Sequence, residues 1–385
     1  MESGYFDHNA TTPLWPAARE AWLQASDRSW LNPSSAYRRG AAVKVRLEAA
    51  REAMAEMLAV GPERLVFNSG ATEGNNTVFA HWVRTLPADA RVAVSPVEHP
   101  SVLEAAKAFF QDRIEWLSLD ASGQVDMAAL EDLLDSGTIA AVSLMSANNE
   151  TGILHDWQAV AGVCVTRGIP YHCDASQWIG KMPLVGLGDC DFVTGCAHKF
   201  GGPKGVGFLI LPKQKVDFCS LHGGAQESGY RAGTEDVASI LAMQAALSES
   251  HGKLHAMMSE PRDRFIADLK RIVPEARVVG ESAPRLWNTV SVILPDFASS
   301  RWIAGLEKSG FLVSAGSACS TGKQGPSHVL AALGEDGAAM RRVIRISSGW
   351  DTSSGDWQAL LQAIVEVDRA LRDESSGSGS QVIEI

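Results

Sequence analysis

Short apolar runs alternate with helix-like stretches through the first 250 residues, and this alternation restricts the chain more than any other feature. Leu65-Val66-Phe67 leads through a glycine-containing turn into an apolar helix pattern from about Glu73. Arg91 to Val94 reads as a strand and Val102 to Phe110 as a helix. Ile139 to Met145 reads as a buried strand and Trp157 to Thr166 as a helix. Ile169 to His172, Phe192 to Thr194 and Val206 to Leu211 are further strands. Strands and helices in this order predict an α/β domain with a mainly parallel sheet. Such sheets offer ligands the carboxyl ends of their strands. The character changes near residue 250. Residues 236 to 258 read as helix, followed by a break at Pro261. Strands at Asn288 to Leu294 and Val343 to Ile346, with helices near 299–308 and 356–371, predict a smaller α+β domain. The first dozen residues are too few to fold alone and are expected to pack on it. The expected division is a large domain at 15–255, a small domain at 1–14 and 256–374, and a flexible Ser/Gly tail at 375–385.

Composition limits the possible partners. The chain has 385 residues and a formal net charge of -11. That charge argues against broad binding to nucleic acid or to an anionic membrane, both of which need a basic footprint. No apolar run is long enough to cross a bilayer. The start, Met1 to Asp7, lacks the basic and apolar regions of a signal peptide, so a cytoplasmic location is expected. Six cysteines stand at 164, 173, 190, 196, 219 and 319, with no CxxC spacing. Neither a metal site nor a disulfide framework is expected, and most of the thiols should be buried.

Five segments carry polar chemistry just past the expected strand ends. Lys199 precedes the glycine-rich turn Gly201-Gly202-Pro203. A lysine there can be lowered in pKa and form a Schiff base, or it can simply be a solvated turn residue. Asp174, after the strand ending at His172, can face a cofactor's pyridine nitrogen or serve as an N-cap, and Gln177 can donate to a phenolic oxygen. Gly70-Ala71-Thr72 at a helix start can cradle phosphate, or Ser69 and Thr72 can cap the helix. His99 can stack on a flat ring and shuttle protons, though a lone histidine is more often structural. Asn148 and Asn149 can reach a ligand or form an Asn-rich turn. Each signal is modest alone. Together they lie where one shared ligand would lie.

Taken in order, these segments resemble the cysteine desulfurases of the NifS/IscS type, in the class V branch of fold-type I pyridoxal-phosphate (PLP) enzymes. The likeness runs nearly the full length. It covers Tyr5 to Pro13, Gly70 to Glu73, Glu98-His99-Pro100, Asn148 to Gly152, His172 to Gln177 and His198-Lys199. It continues through Gly223 to Glu235, Ser314 to Ser320 and Ile344 to Ser347. The resemblance implies a large domain with a mainly parallel seven-stranded sheet plus the smaller domain, and pyridoxal 5'-phosphate as cofactor. It makes Lys199 the Schiff-base lysine, Asp174 the partner of the ring nitrogen, Gln177 a donor to the phenolic oxygen and His99 the stacking group. Ala71, Thr72 and His198 would bind phosphate. Asn149 would help hold cofactor or substrate, and Arg345 would clamp the substrate carboxylate. Thr234 would reach the phosphate of a neighbouring subunit, implying a homodimer. Cys196 stands where the family usually has a phosphate-binding serine, and a thiol is a weaker donor. Ala315 replaces a commoner serine, and Cys173 reads as a packing residue.

Cys319 lies among small residues, Gly316-Ser317-Ala318-Cys319-Ser320-Thr321-Gly322, with Lys323 nearby. An exposed thiol is a liability without a use. By resemblance it is the sulfur acceptor on a group I type loop. The implied activity converts L-cysteine to L-alanine, with sulfur passing as a Cys319 persulfide to an acceptor such as an iron–sulfur scaffold. Selenocysteine lyases, C–S lyases and class V aminotransferases share the cofactor motifs but not the need for Cys319. A noncatalytic protein of the same fold has no use for Lys199, Asp174, His99 and Cys319 together.

Overall fold

The computed structural model describes residues 4–214, 216–254, 258–316 and 327–377. The chain divides into two units. The larger comprises Thr11–Asn148 and Leu154–Ala256, and the smaller Met1–Ala10, Asn149–Ile153 and Met257–Ile385.

The larger unit is built on seven strands: β1 (Leu65–Asn68), β2 (Arg91–Val94), β3 (Ile114–Trp116), β4 (Ile139–Ser143), β5 (Tyr171–Asp174), β6 (Phe192–Cys196) and β7 (Gly207–Ile210). Their order is β1-β7-β6-β5-β4-β2-β3. β7 runs antiparallel to both neighbours, and every other pairing is parallel. The carboxyl ends of the six other strands therefore share one edge. Helices Ala71–Thr85 and Pro100–Phe110 pack Val78, Phe79, Trp82, Val102 and Phe110 against Val66, Val92 and Val94 of the sheet. Continuous apolar strands are what a sheet covered on both faces requires.

Two expectations shift. β5 begins at Tyr171 rather than Ile169, because Pro170 has no N–H for the ladder, although its carbonyl accepts from Val142 N at 2.9 Å. The strand then runs through Asp174, so this carboxylate is the last strand residue and not one beyond it. β3 went unread because Ile-Glu-Trp is only three residues long and buries only Ile114.

The smaller unit holds an antiparallel sheet in the order β10-β11-β9-β8, from β8 (Arg277–Val278), β9 (Thr289–Ile293), β10 (Ser314–Ala315) and β11 (Val343–Ser347). Helices Ser299–Lys308, Glu260–Ile272 and Ser354–Gly377 bury Trp302, Leu306, Phe265, Leu360 and Ile364 against Val290, Val292, Ile344 and Ile346. Pro261 sits in the first turn of its helix, where its missing N–H costs nothing, so it belongs to a helix start, and the preceding helix, expected over 236–258, ends at Lys253. The N-terminal segment bridges Tyr5 to Leu312 and Asp7 to Ser347. The last helix continues to Gly377, two residues past the expected tail start at 375. There Ser375 and Ser376 hydroxyls donate to Arg372 O at 2.8 and 2.9 Å. Residues 378–385 lie outside the described ones.

The open edge of β1 is closed by a buried ion pair. Arg51 donates to both carboxylate oxygens of Glu227 at 2.8 Å, and Glu227 Oε2 also accepts from Phe67 N at 2.8 Å. The two side chains are only 9% and 2% exposed. Replacing Glu227 by Ala leaves a buried guanidinium uncompensated. We expect a loss of about 3–5 kcal/mol in urea unfolding, with an Arg51→Met/Glu227→Leu double variant recovering most of it.

Candidate active site

On the shared edge, β1 hands over to helix Ala71–Thr85 through Gly70, whose φ of 137° is open only to glycine. This turn lies against β7. A Cβ on Gly207 would come within 2.7 Å of Gly70 Cα, so glycine on the strand lets the turn lie flat on the sheet. Ser69 N–H donates to Glu73 Oε2 and Gly70 N–H to Asn68 Oδ1, both at 2.9 Å. Ala71 and Thr72 form the first turn of the helix, where N–H groups have no acceptor within the helix, the arrangement that receives phosphate.

Asp174 closes β5 with 4% exposure. Its Oδ1 accepts from Ser176 N at 2.9 Å and its Oδ2 from Asn75 Nδ2 at 2.8 Å. His99 is half-buried and caps helix Pro100–Phe110, its Nδ1 accepting from Ser101 N at 3.1 Å. Gln177 is buried, and its Oε1 accepts from Lys181 Nζ at 2.5 Å. An ammonium only donates, so the Gln177 carbonyl must face Lys181 and its N–H2 must face away. Beside them Glu98 is fully buried and accepts from Met145 N at 2.6 Å. Burial, reinforced by the Asp174 charge, raises its carboxyl well above the ordinary range.

Lys199 ends the short turn Ala197–Lys199 directly after β6. Its charge acts on the groups around it. Burial first, then the charges of Lys199, Lys204 and Lys181 and the nearby His99, push the His198 imidazole down to about 3, so it is neutral across the physiological range. Burial raises the Cys196 thiol, with the Lys199 charge and the Ala71 backbone N–H opposing the rise and the Asp174 charge reinforcing it. Cys196 thus lies near the helix start at Ala71 and feels the charges of both Asp174 and Lys199. Ala71, Thr72, His99, Asp174, Gln177, Cys196, His198 and Lys199 all belong to this edge. Thr234 is exposed and lines a cavity of about 90 Å³ with Asn68, Ser69 and Arg231.

Asn149 and Arg345 belong to the smaller unit. Arg345, in β11, is 1% exposed. Its Nη1 donates to Asn149 O at 3.0 Å and its Nη2 to Asp7 Oδ1 at 2.7 Å. Asn9 steadies the same spot, its Nδ2 donating to Asn149 O at 3.2 Å and Thr289 Oγ1 at 2.9 Å. Glu150 accepts from Ser327 Oγ at 2.6 Å, and burial lifts its carboxyl to about 7 against the opposing effects of Ser327 and Arg345. Cys319 lies outside the described residues. Of the other thiols, Cys164, Cys173, Cys190 and Cys196 are buried as expected. Cys219 departs from that pattern: it is partly exposed, with its sulfur 3.5 Å from His222 Nδ1.

Sequence reasoning assigned no role to Asn75, Ser101, Lys181, Asp7 or Glu150. Asp7, Ser101 and Glu150 stand inside or beside the quoted motifs. Lys181 had no signal, since a lysine four residues past Gln177 reads as a surface residue until its burial is known.

The class-V aminotransferase profile matches residues 4–360. A cysteine desulfurase from Cereibacter sphaeroides is 35% identical over 99% of this chain and 100% of its own length. The chain belongs to the cysteine desulfurase group of the class-V aminotransferases. An IscS-like cysteine desulfurase of Mycobacterium tuberculosis is 34% identical over 98% of this chain and 99% of its own. A solved NifS-like protein superposes with a TM-score of 0.87 at 30% identity, covering 95% of this chain and 99% of that one. A structure described as SspA in complex with cysteine superposes at 0.77, with 26% identity over 89% and 98%.

Class-V aminotransferases and cysteine desulfurases are PLP-dependent, and the edge described above suits that cofactor. A helix start and a cluster of lysines around a neutral imidazole match a phosphate. A buried, doubly held carboxylate matches a protonated ring nitrogen.

The raised Glu150 carboxyl makes a desulfurase-fold prediction. The folded chain holds this proton up to about 7, whereas the ordinary value is 4.5. Between these values the folded state binds more protons than the unfolded one, so stability falls as pH rises through the window. Thermal midpoints of wild type minus Glu150→Gln, measured from pH 4.5 to 8, should decline up to about pH 7 and then level off.

Proposed function

We propose that this chain removes sulfur from L-cysteine, releasing L-alanine and carrying the sulfur as a persulfide on Cys319. The observation that carries the reading is the grouping of Lys199, Asp174 and His99 on one sheet edge, in a chain whose full-length relatives are cysteine desulfurases. PLP, when bound, supplies the electron sink that makes the substrate's Cβ–S bond breakable. Lys199 holds the cofactor through its amine and, once released, moves a proton at the substrate's Cα. Asp174 keeps its negative charge against the ring nitrogen. Gln177 offers N–H, because Lys181 holds its carbonyl. Ala71, Thr72, Cys196 and His198 receive the phosphate. His99 covers the ring face and relays protons. Arg345 grips the substrate carboxylate in competition with Asp7, while Asn149 holds the guanidinium through its backbone carbonyl. The Cys319 thiolate forms a bond to the substrate sulfur as the Cβ–S bond breaks. The electron pair stays with Cβ, which then takes a proton, so one cysteine and one thiol yield alanine and a persulfide.

The finer reading is a cytoplasmic homodimer in which Thr234, exposed at its cavity, reaches the partner subunit's cofactor phosphate. Among the described residues no helix is long and apolar enough to cross a membrane, in keeping with that setting. The acceptor would be an iron–sulfur scaffold or another sulfur-accepting protein.

Cys319→Ala should keep the yellow cofactor band but lose alanine formation by at least roughly 100-fold, the scale of a removed nucleophile. Mass spectrometry should find one added sulfur on the Cys319 peptide of wild type only. Alanine forming equally fast without the thiol would instead mark another lyase or an aminotransferase. Arg345→Lys should raise KM for cysteine about tenfold with kcat little changed, since lysine cannot reproduce the fork.

A further inference from the structure

The larger unit contains a hydrogen-bonded relay that links two groups of the proposed site. Asn75 is fully buried and places its Nδ2 at 2.8 Å from Asp174 Oδ2 and 2.9 Å from Ser101 Oγ. Ser101 Oγ lies 2.8 Å from His99 Nδ1, and Ser101 N lies 3.1 Å from the same nitrogen.

The donor directions follow from chemistry. A backbone N–H only donates, so His99 Nδ1 must accept and carry no proton, leaving the ring proton on Nε2. The Ser101 hydroxyl then also donates to Nδ1, and its lone pair accepts from Asn75. An ionised carboxylate only accepts, so Asn75 must turn its N–H2 and not its carbonyl toward Asp174. Both protons of one amide are committed, one to each branch. Among the described residues its Oδ1 is buried without a hydrogen-bond partner.

We propose that Asn75 is a positioning residue that sets Asp174 directly and His99 through Ser101, so that the ring-nitrogen carboxylate and the ring-face imidazole are aligned by a single amide. This rests on the reading of Asp174 and His99 given above. Alignment of this kind acts on the chemical step more than on substrate affinity. Errors near 1 Å in such groups cost up to about 100-fold in rate.

The test uses cofactor-loaded protein labelled with 15N-histidine, with the His99 signal identified by its loss in His99→Gln. Wild type should show Nδ1 unprotonated and Nε2 protonated, and a proton on Nδ1 would overturn the relay. Ser101→Ala should move the His99 Nδ1 signal while leaving the PLP dissociation constant within twofold. Asn75→Ala should raise that constant about tenfold, as for a lost hydrogen bond to a charged group. It should lower kcat roughly 10- to 100-fold with KM for cysteine nearly constant. In the double variant kcat should match Asn75→Ala alone, because without the amide the Ser101 hydroxyl is no longer held against His99. A kcat for Asn75→Ala within twofold of wild type, or a double variant showing the product of the single effects, would sink the proposal. If Asn75→Ala does not fold, the wild-type tautomer and the Ser101→Ala response decide. Asp174→Ala and His99→Ala separate this idea from its premise. If both leave cofactor binding and turnover intact, the functional reading fails. If both are impaired and Asn75→Ala is not, only the relay fails.

Discussion

A carboxylate 4% exposed must be compensated where it stands, and the larger unit is organised around doing so for Asp174. The backbone N–H of Ser176 holds one oxygen and the Asn75 amide the other. Both arrangements depend on β5 ending at this residue, with its backbone registered between Ser146 and Thr194. A one-residue slip would turn the side chain to the other face of the sheet. The register of a central strand is therefore also the placement of the carboxylate that the proposed function sets against the cofactor's ring nitrogen.

The surrounding charges fall into two kinds. Glu98 and His198 are driven neutral by burial, one by gaining a proton and the other by losing it. Asp174 keeps its acceptors and Lys199 its amine beside them. A neutral Glu98 leaves the Asp174 charge unrepelled, and a neutral His198 adds no further positive charge beside Lys199, Lys204 and Lys181. In the smaller unit the balance differs, because Arg345 already has a charged partner in Asp7 at 2.7 Å. Under the proposed function, a substrate carboxylate at Arg345 would compete with an existing ion pair, which favours reversible capture over tight holding.

What could be read from the residues alone was the alternation of elements and the edge on which chemistry would gather. β1, β2, β4 and β6 were legible because three to five consecutive apolar or small residues bounded by turns admit few other readings. β3 was not legible, since a three-residue edge strand with one buried side chain carries almost no periodicity. β5 was displaced because hydrophobicity alone ignores Pro170. The roles of Asp174, Lys199 and His99 came mainly from resemblance, as each also had an ordinary use as a cap, turn or structural group. Asn75 and Lys181 escaped for a different reason. Their importance lies in which atom faces which partner, and a sequence records neither burial nor the direction of an amide.

The thiols complete the logic of selectivity. Burial pushes Cys164 up to about 12 and raises Cys173 and Cys196 as well. Only a thiolate attacks sulfur, so these groups are poor nucleophiles and poor relays whatever their distance from substrate. Cys196 is the instructive case. It stands against the helix start at Ala71, where a hydroxyl would donate strongly to phosphate, yet the Lys199 charge does not overcome its desolvation. A thiol there contributes bulk and a weak donor without becoming a competing acceptor of sulfur. This edge tolerates a cysteine because burial keeps the thiol protonated and inert, while the weakness of its hydrogen bond comes from the S–H group itself.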